Sequence, residues 1–89
     1  NYKQFMAYKQ LTKLIREKTQ RKETIETKVL NLYEASNPSL YYVYEVLGDY
    51  YAAIQQIDTA ITYWQKALTM PIPKQAEKVR IQQKINKNQ

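Results

Sequence analysis

A glycine in the middle of a helical pattern constrains the fold of this chain more than any other residue. Gly48 is the single glycine among 89 residues. It belongs to a row of residues spaced three or four apart, which is the spacing of one helical face: Tyr41, Tyr44, Leu47, Gly48 and Tyr51. Glycine inside a helix costs about 0.5–1 kcal/mol relative to alanine. We therefore expect a facing helix to approach closely at Gly48.

A second apolar row follows and supplies that facing helix. Its members are Ile57, Ala60, Ile61, Trp64, Ala67 and Leu68. Residues 54–58 leave room only for a tight reversal, so the two helices are predicted to pack antiparallel. Ala60 and Ala67 would be the small residues at the contact, and Trp64 would fill the remaining space.

The rest of the chain also has helical periodicity, which predicts an all-α fold of about five helices. The first helix is expected over residues 2–19, with Phe5, Tyr8, Leu11, Leu14 and Ile15 on its apolar face. A turn near residues 20–22 leads to a second helix with a face made of Ile25, Val29, Leu32 and Tyr33. A single helix over residues 2–33 is the alternative. Pro38 ends this region, because proline disfavours helical geometry in the residue before it.

The fifth helix is expected over residues 74–86, after Pro71 and Pro73. Ile72, Ala76 and Val79 would share the face that covers the preceding helix pair. Ile81 and Ile85 would then point elsewhere, toward a neighbouring subunit, another domain or solvent.

The pattern over residues 41–74 resembles a tetratricopeptide repeat, a pair of antiparallel helices that stacks into superhelical arrays. The resemblance is carried by Tyr44, Leu47, Gly48, Tyr51, Ala60, Trp64 and Ala67. It implies one helical-repeat domain over residues 1–89: a degenerate repeat at 7–40, a clear repeat at 41–74 and a capping helix at 74–89. In the degenerate repeat Leu14 stands where the clear repeat has Gly48, and Glu26 stands where it has Ala60. The arrangement looks like the C-terminal end of a longer array.

Composition argues against catalysis. The chain has no histidine and no cysteine, which removes the usual bases, nucleophiles and transition-metal ligands. Glu45 and Asp49 alone would make a weak cation site. We therefore expect no enzyme activity, no metal and no cofactor.

The resemblance implies a non-catalytic module that binds a protein or peptide in a concave groove. The groove-facing positions carried over from the family are Tyr42, Glu45, Asp49, Ala52, Ala53 and, at the exit, Lys74. Because this surface is aromatic and acidic, a basic peptide or one that packs against tyrosine is the expected partner. The alternative for Glu45 and Asp49 is that they only solvate an exposed helix face.

Two other roles remain open. The module could be purely structural, packing against a copy of itself or against other domains through an exposed apolar face of the first helix. It could also bind nucleic acid. Residues 1–28 carry eight basic side chains against three glutamates, and residues 71–89 carry five against one.

We expect the tyrosines at 41–51 to serve core packing, with only Tyr42 and Tyr50 outside the buried row. No apolar run is long enough to span a membrane.

Overall fold

The computed structural model describes residues 2–89 and is all-α, as predicted. Its five helices are α1 (Tyr2–Arg21), α2 (Thr27–Ser36), α3 (Tyr41–Ala53), α4 (Ile57–Leu68) and α5 (Gln75–Lys87). These residues form no strand, and 77% of them are helical. Successive helices pair in series, with α3 and α4 in the most extensive contact and α1 lying against both α2 and α3.

The two tight corners of the chain are closed in the same way. Lys22 and Gln55 adopt left-handed backbone conformations, with φ of 56° and 67°. At each corner the N–H of the following residue bonds to the carbonyl five residues back, at 3.0 Å and 2.8 Å. This is the Schellman ending of a helix. Residues 2–36 are therefore two helices and not one. By its backbone conformation Lys22 corresponds to Gln55, whereas aligning Leu14 with Gly48 and Glu26 with Ala60 places Lys22 opposite Gln56.

The close approach predicted at Gly48 is confirmed. Trp64 is 2% exposed, and both Ala60 and Ala67 are fully buried. A Cβ atom added to Gly48 would overlap the five-membered ring of the Trp64 indole and lie 3.0 Å from its Cε2 atom. The absence of a side chain at Gly48 thus lets α3 and α4 pack through this ring.

Stacked tyrosines extend the α3–α4 contact. The ring of Tyr63 lies parallel to that of Tyr51, at 5.4 Å between centroids, and nearly parallel to that of Tyr44, at 6.4 Å. Tyr50, expected outside the core, is 2% exposed, and its hydroxyl accepts a hydrogen bond from the Ile25 N–H at 2.9 Å. That bond ties the α1–α2 loop to α3.

The predicted apolar face of the first hairpin is partly wrong. On α2, Leu30 is buried and Leu32 is 61% exposed. The ring of Tyr33 stacks on Tyr8, and the Tyr33 hydroxyl is hydrogen-bonded to that of Thr12 at 2.7 Å. These contacts fix the rotation of α2 about its axis and turn Leu32 outward.

On α1, only part of the expected face is covered. Ile15 is fully buried, and Tyr8 and Leu11 pack against the core, whereas Phe5 and Leu14 are exposed. The predicted apolar face of α1 was therefore too broad, because helix α3 covers only one side of that face.

The prediction for the last helix is also wrong. Ile81 and Ile85 are buried in the core, and Val79 is 43% exposed. The reason lies in the polar contacts of α5, because Arg80 and Lys84 bond to carboxylates on α3. With those side chains held against α3, the neighbouring Ile81 and Ile85 turn toward the core and Val79 faces solvent.

No helix within residues 2–89 combines the length and the apolar character needed to cross a membrane.

Replacing Gly48 with alanine tests the close approach. We expect Gly48→Ala to lower the free energy of unfolding by about 1–3 kcal/mol, because overpacking outweighs the better helix propensity of alanine. Urea unfolding followed by circular dichroism measures the change. The control is the same substitution in a Trp64→Leu background, where most of the penalty should disappear. An equal penalty in both backgrounds would contradict the packing described.

Candidate protein-binding cleft

Three helices line a cleft of about 320 Å³ on one face of the molecule. Helix α1 contributes one residue, and α3 and α5 contribute three each: Arg16, Tyr42, Glu45, Asp49, Glu77, Arg80 and Lys84. All but Tyr42 carry charge, so the cleft is an electrostatic site more than an apolar one.

Glu45 forms the centre of an ion-pair network. It is 2% exposed, and Arg80 donates two hydrogen bonds to it, from Nε to Oε2 at 2.8 Å and from Nη2 to Oε1 at 2.7 Å. Lys84 donates a third to Oε2 at 2.8 Å. A buried carboxylate is tolerated when it is paired and hydrogen-bonded in this way.

Asp49 connects this network to the helical core. The Lys84 ammonium bonds to both of its carboxylate oxygens, at 2.9 Å and 3.0 Å. The indole N–H of Trp64 donates to Oδ1 at 3.1 Å. The indole ring that packs against Gly48 therefore also anchors the carboxylate that holds α5.

The network shifts the pKa values of its members. Burial opposes the charge of Glu45, but the hydrogen bonds from Arg80 and Lys84 outweigh it and lower the pKa of that carboxyl. Burial also disfavours the charged Lys84, yet its two carboxylate partners raise the pKa of the ammonium. Asp49 behaves differently, because burial outweighs Lys84 and raises its pKa although about a third of the side chain is exposed.

The structure brings together half of the residues expected to face a groove. Tyr42, Glu45 and Asp49 line the cleft, whereas Ala52, Ala53 and Lys74 do not. Ala52 and Ala53 are half-buried near the end of α3, and Lys74 is exposed just before α5. Glu45 was expected on an open surface; it is instead covered by α5, whose cations neutralise it.

Sequence reasoning missed the cations of the cleft. Arg80 and Lys84 lie four residues apart on α5, as Glu45 and Asp49 do on α3. The equal spacing of an acidic pair on α3 and a basic pair on α5 could have predicted that these two helices are in contact. Arg16 gave no such signal, because it reaches the cleft only through the packing of α1 against α3.

The cleft continues along α1 as a basic surface. A cavity of about 360 Å³ is lined by Lys9, Thr12, Lys13, Arg16, Glu17 and Gln20. Arg16 lines this cavity, the cleft and a third, smaller cavity between α1 and α3. Within residues 2–89, no carboxylate forms a salt bridge with Lys9, Lys13 or Arg16. We call these three residues the basic row.

The described residues contain no group of three or more acidic residues placed to hold a metal ion. Of the three carboxylates that line the cleft, Glu45 and Asp49 are bound to cations of α5.

No protein-family model, curated protein or solved structure matches this chain. The tetratricopeptide resemblance rests on the residue pattern and stays a prediction.

Removing the Glu45 charge tests the network. We expect Glu45→Gln to lower the free energy of unfolding by about 1–3 kcal/mol, because Arg80 and Lys84 lose a buried charged partner. The matched control is Glu34→Gln, since Glu34 pairs with Lys66 at 3.2 Å in a more exposed position. That change should cost less than about 1 kcal/mol. Equal effects in urea unfolding would contradict a special role for Glu45.

Lowering the pH should remove the contribution of Glu45 to the free energy of unfolding. Its pKa lies below the usual 4.5 in the folded chain, so its stabilisation is complete above that pH and is lost as the pH falls through the lower, folded value. Asp49, with a raised pKa, acts in the opposite sense, but it is present in both proteins when wild type is compared with Glu45→Gln. We expect their stability difference to shrink between about pH 7 and pH 3. A constant difference in urea unfolding across this range would contradict the pairing.

Proposed function

We propose that this chain is a non-catalytic module that binds a segment of another protein along the cleft and the basic row. The tetratricopeptide resemblance supports the general role, since paired helices of that kind present concave surfaces to peptides. The cleft between α1, α3 and α5 supports it too, because it is an open concavity bordered by three separate helices.

The charge of the partner follows from which side chains are already paired. A basic partner was expected because Glu45 and Asp49 were thought to be free, but both are bound by cations of α5. Within the part of the chain that the structure describes, Lys9, Lys13 and Arg16 form no salt bridge, and Glu17 is the single carboxylate lining their cavity. The unpaired basic row is the observation that carries the proposal of an acidic partner.

A peptide-binding measurement tests this function. The probes are two fluorescent peptides of equal length, one rich in aspartate and one rich in lysine, followed by anisotropy. We expect the aspartate peptide to bind, and Lys13→Glu with Arg16→Glu to weaken it by at least about tenfold, because both substitutions replace attraction with repulsion. Both positions are exposed, so the fold should persist.

The matched control is Lys74→Glu with Lys78→Glu, which makes the same change in net charge at exposed positions outside the cleft. It should change the affinity by less than about twofold, because neither side chain lines the cleft or the cavity of the basic row. Tighter binding of the lysine peptide would contradict the acidic partner. Tighter binding of a single-stranded oligonucleotide through Lys13 and Arg16 would replace the proposal with nucleic-acid binding.

A further inference from the structure

The first hairpin carries a second concavity on the side that α3 leaves uncovered. It is a cleft of about 340 Å³ between the N-terminal half of α1 and the C-terminal half of α2. Its lining is Lys3, Gln4, Ala7, Leu11, Leu32, Ala35 and Ser36. We call this surface the outer groove. None of its residues lines the cleft or the cavity of the basic row.

The floor of the outer groove is apolar and open. Ala7 and Leu11 follow one another at helical spacing on α1, and Leu32 and Ala35 do so on α2. Leu14 continues the α1 row beyond the lining of the groove. Leu32 is 61% exposed and Leu14 is 39% exposed. Single exposed apolar residues are common, but two rows that meet in one cleft mark an interaction surface.

The charged residues in the two helical rows that form the outer groove are all lysines. On α1 the same helical row begins with Lys3 and ends with Lys18, and on α2 it begins with Lys28. No acidic residue occupies either row. Lys18 and Lys28 reach neighbouring glutamates only at 3.9 Å and 3.7 Å, in exposed pairs that contribute little. The outer groove therefore has an apolar centre, with Lys3 at one end and Lys18 and Lys28 beyond the other along the two rows.

The shape of the groove suits a helix. Elsewhere in this chain a pair of helices is covered by a further helix, since α3 packs against both α1 and α2, and α5 packs against α4 and bonds to α3. Ridges of a third helix fit the furrow between two antiparallel ones. The furrow on the uncovered side of α1 and α2 has no helix of the described chain in it.

A second copy of the chain is a poor occupant. Each copy has a net charge of +6, and its terminal helices α1 and α5 are both rich in lysine and arginine. The basic ends of the groove would repel them.

We infer that the outer groove docks an amphipathic helix of a partner protein, with a leucine-type stripe that fills the apolar floor and acidic residues that meet the lysines at its ends. This docking is separate from binding in the cleft and does not depend on it.

A designed helix serves as the probe. It is about 18 residues long, so that it can form a helix in solution. It has leucine at every third or fourth position and glutamate on both sides of the leucine stripe. The comparison peptide has lysine in place of each glutamate. We expect the glutamate peptide to bind at least about tenfold more tightly, because its charges complement those of the groove. Fluorescence anisotropy gives the affinity, and amide chemical shifts locate the site.

Substitutions then separate the two concave surfaces. We expect Leu32→Glu to reduce binding of the glutamate helix by at least about tenfold, because it puts a negative charge on the groove floor that repels the glutamates of the peptide. Val79→Glu is the matched control, because Val79 is also exposed but lies on α5, and it should leave the affinity unchanged. Arg16→Glu should leave it unchanged too. Circular dichroism establishes that each variant is folded.

Three results would overturn this inference. Binding that survives Leu32→Glu and is lost with Arg16→Glu would place the helix on the basic row, which would leave the proposed function standing and this docking site refuted. Dimerisation of the wild type in a sedimentation series, abolished by Leu32→Glu, would make a second copy the occupant. Equal affinity for the glutamate and lysine peptides would refute the charge preference.

Discussion

The contact between Gly48 and Trp64 sets the positions of most other parts of this molecule. With no side chain at Gly48, α3 and α4 approach until the indole ring occupies the space where a Cβ would lie. The buried indole then directs its N–H to Asp49, and Asp49 in turn holds Lys84 of α5. A single small residue thus fixes a helix pair and, through one hydrogen bond and one ion pair, the helix that follows.

The charges of α3 and α5 explain why the cleft differs from a simple acidic groove. Glu45 is nearly inaccessible and is held by Arg80 and Lys84, so its charge stabilises the chain. Under the proposed function, the partner meets the basic row, which extends from Arg16 along α1. If the proposal holds, binding and stability use different members of one charged cluster, and a substitution at Glu45 would alter both the placement of α5 and the charge of the cleft.

Much of the fold could be predicted from the sequence, because helical periodicity depends only on residues that are close together along the chain. The row around Gly48 and the row around Trp64 could be paired from the sequence, since the segment between them is too short for any other arrangement. The rotations of α2 and α5 could not be predicted, because each depends on a contact distant in sequence. Tyr33 meets Tyr8 and Thr12, and Arg80 meets Glu45. The same cause limited the site: Tyr42, Glu45 and Asp49 share one helix, whereas their neighbours from α1 and α5 come together only in the folded chain.

Nuclear Overhauser contacts between the α-protons of Gly48 and the indole protons of Trp64 test this account most directly. Trp64 is the single tryptophan in the chain, so its indole resonances can be assigned without ambiguity. Strong contacts, together with contacts from the indole N–H to the side chain of Asp49, are the expected result. If the indole protons show no contact with Gly48 and the tryptophan fluorescence is that of a ring in water, the packing of α3 against α4 described here is wrong.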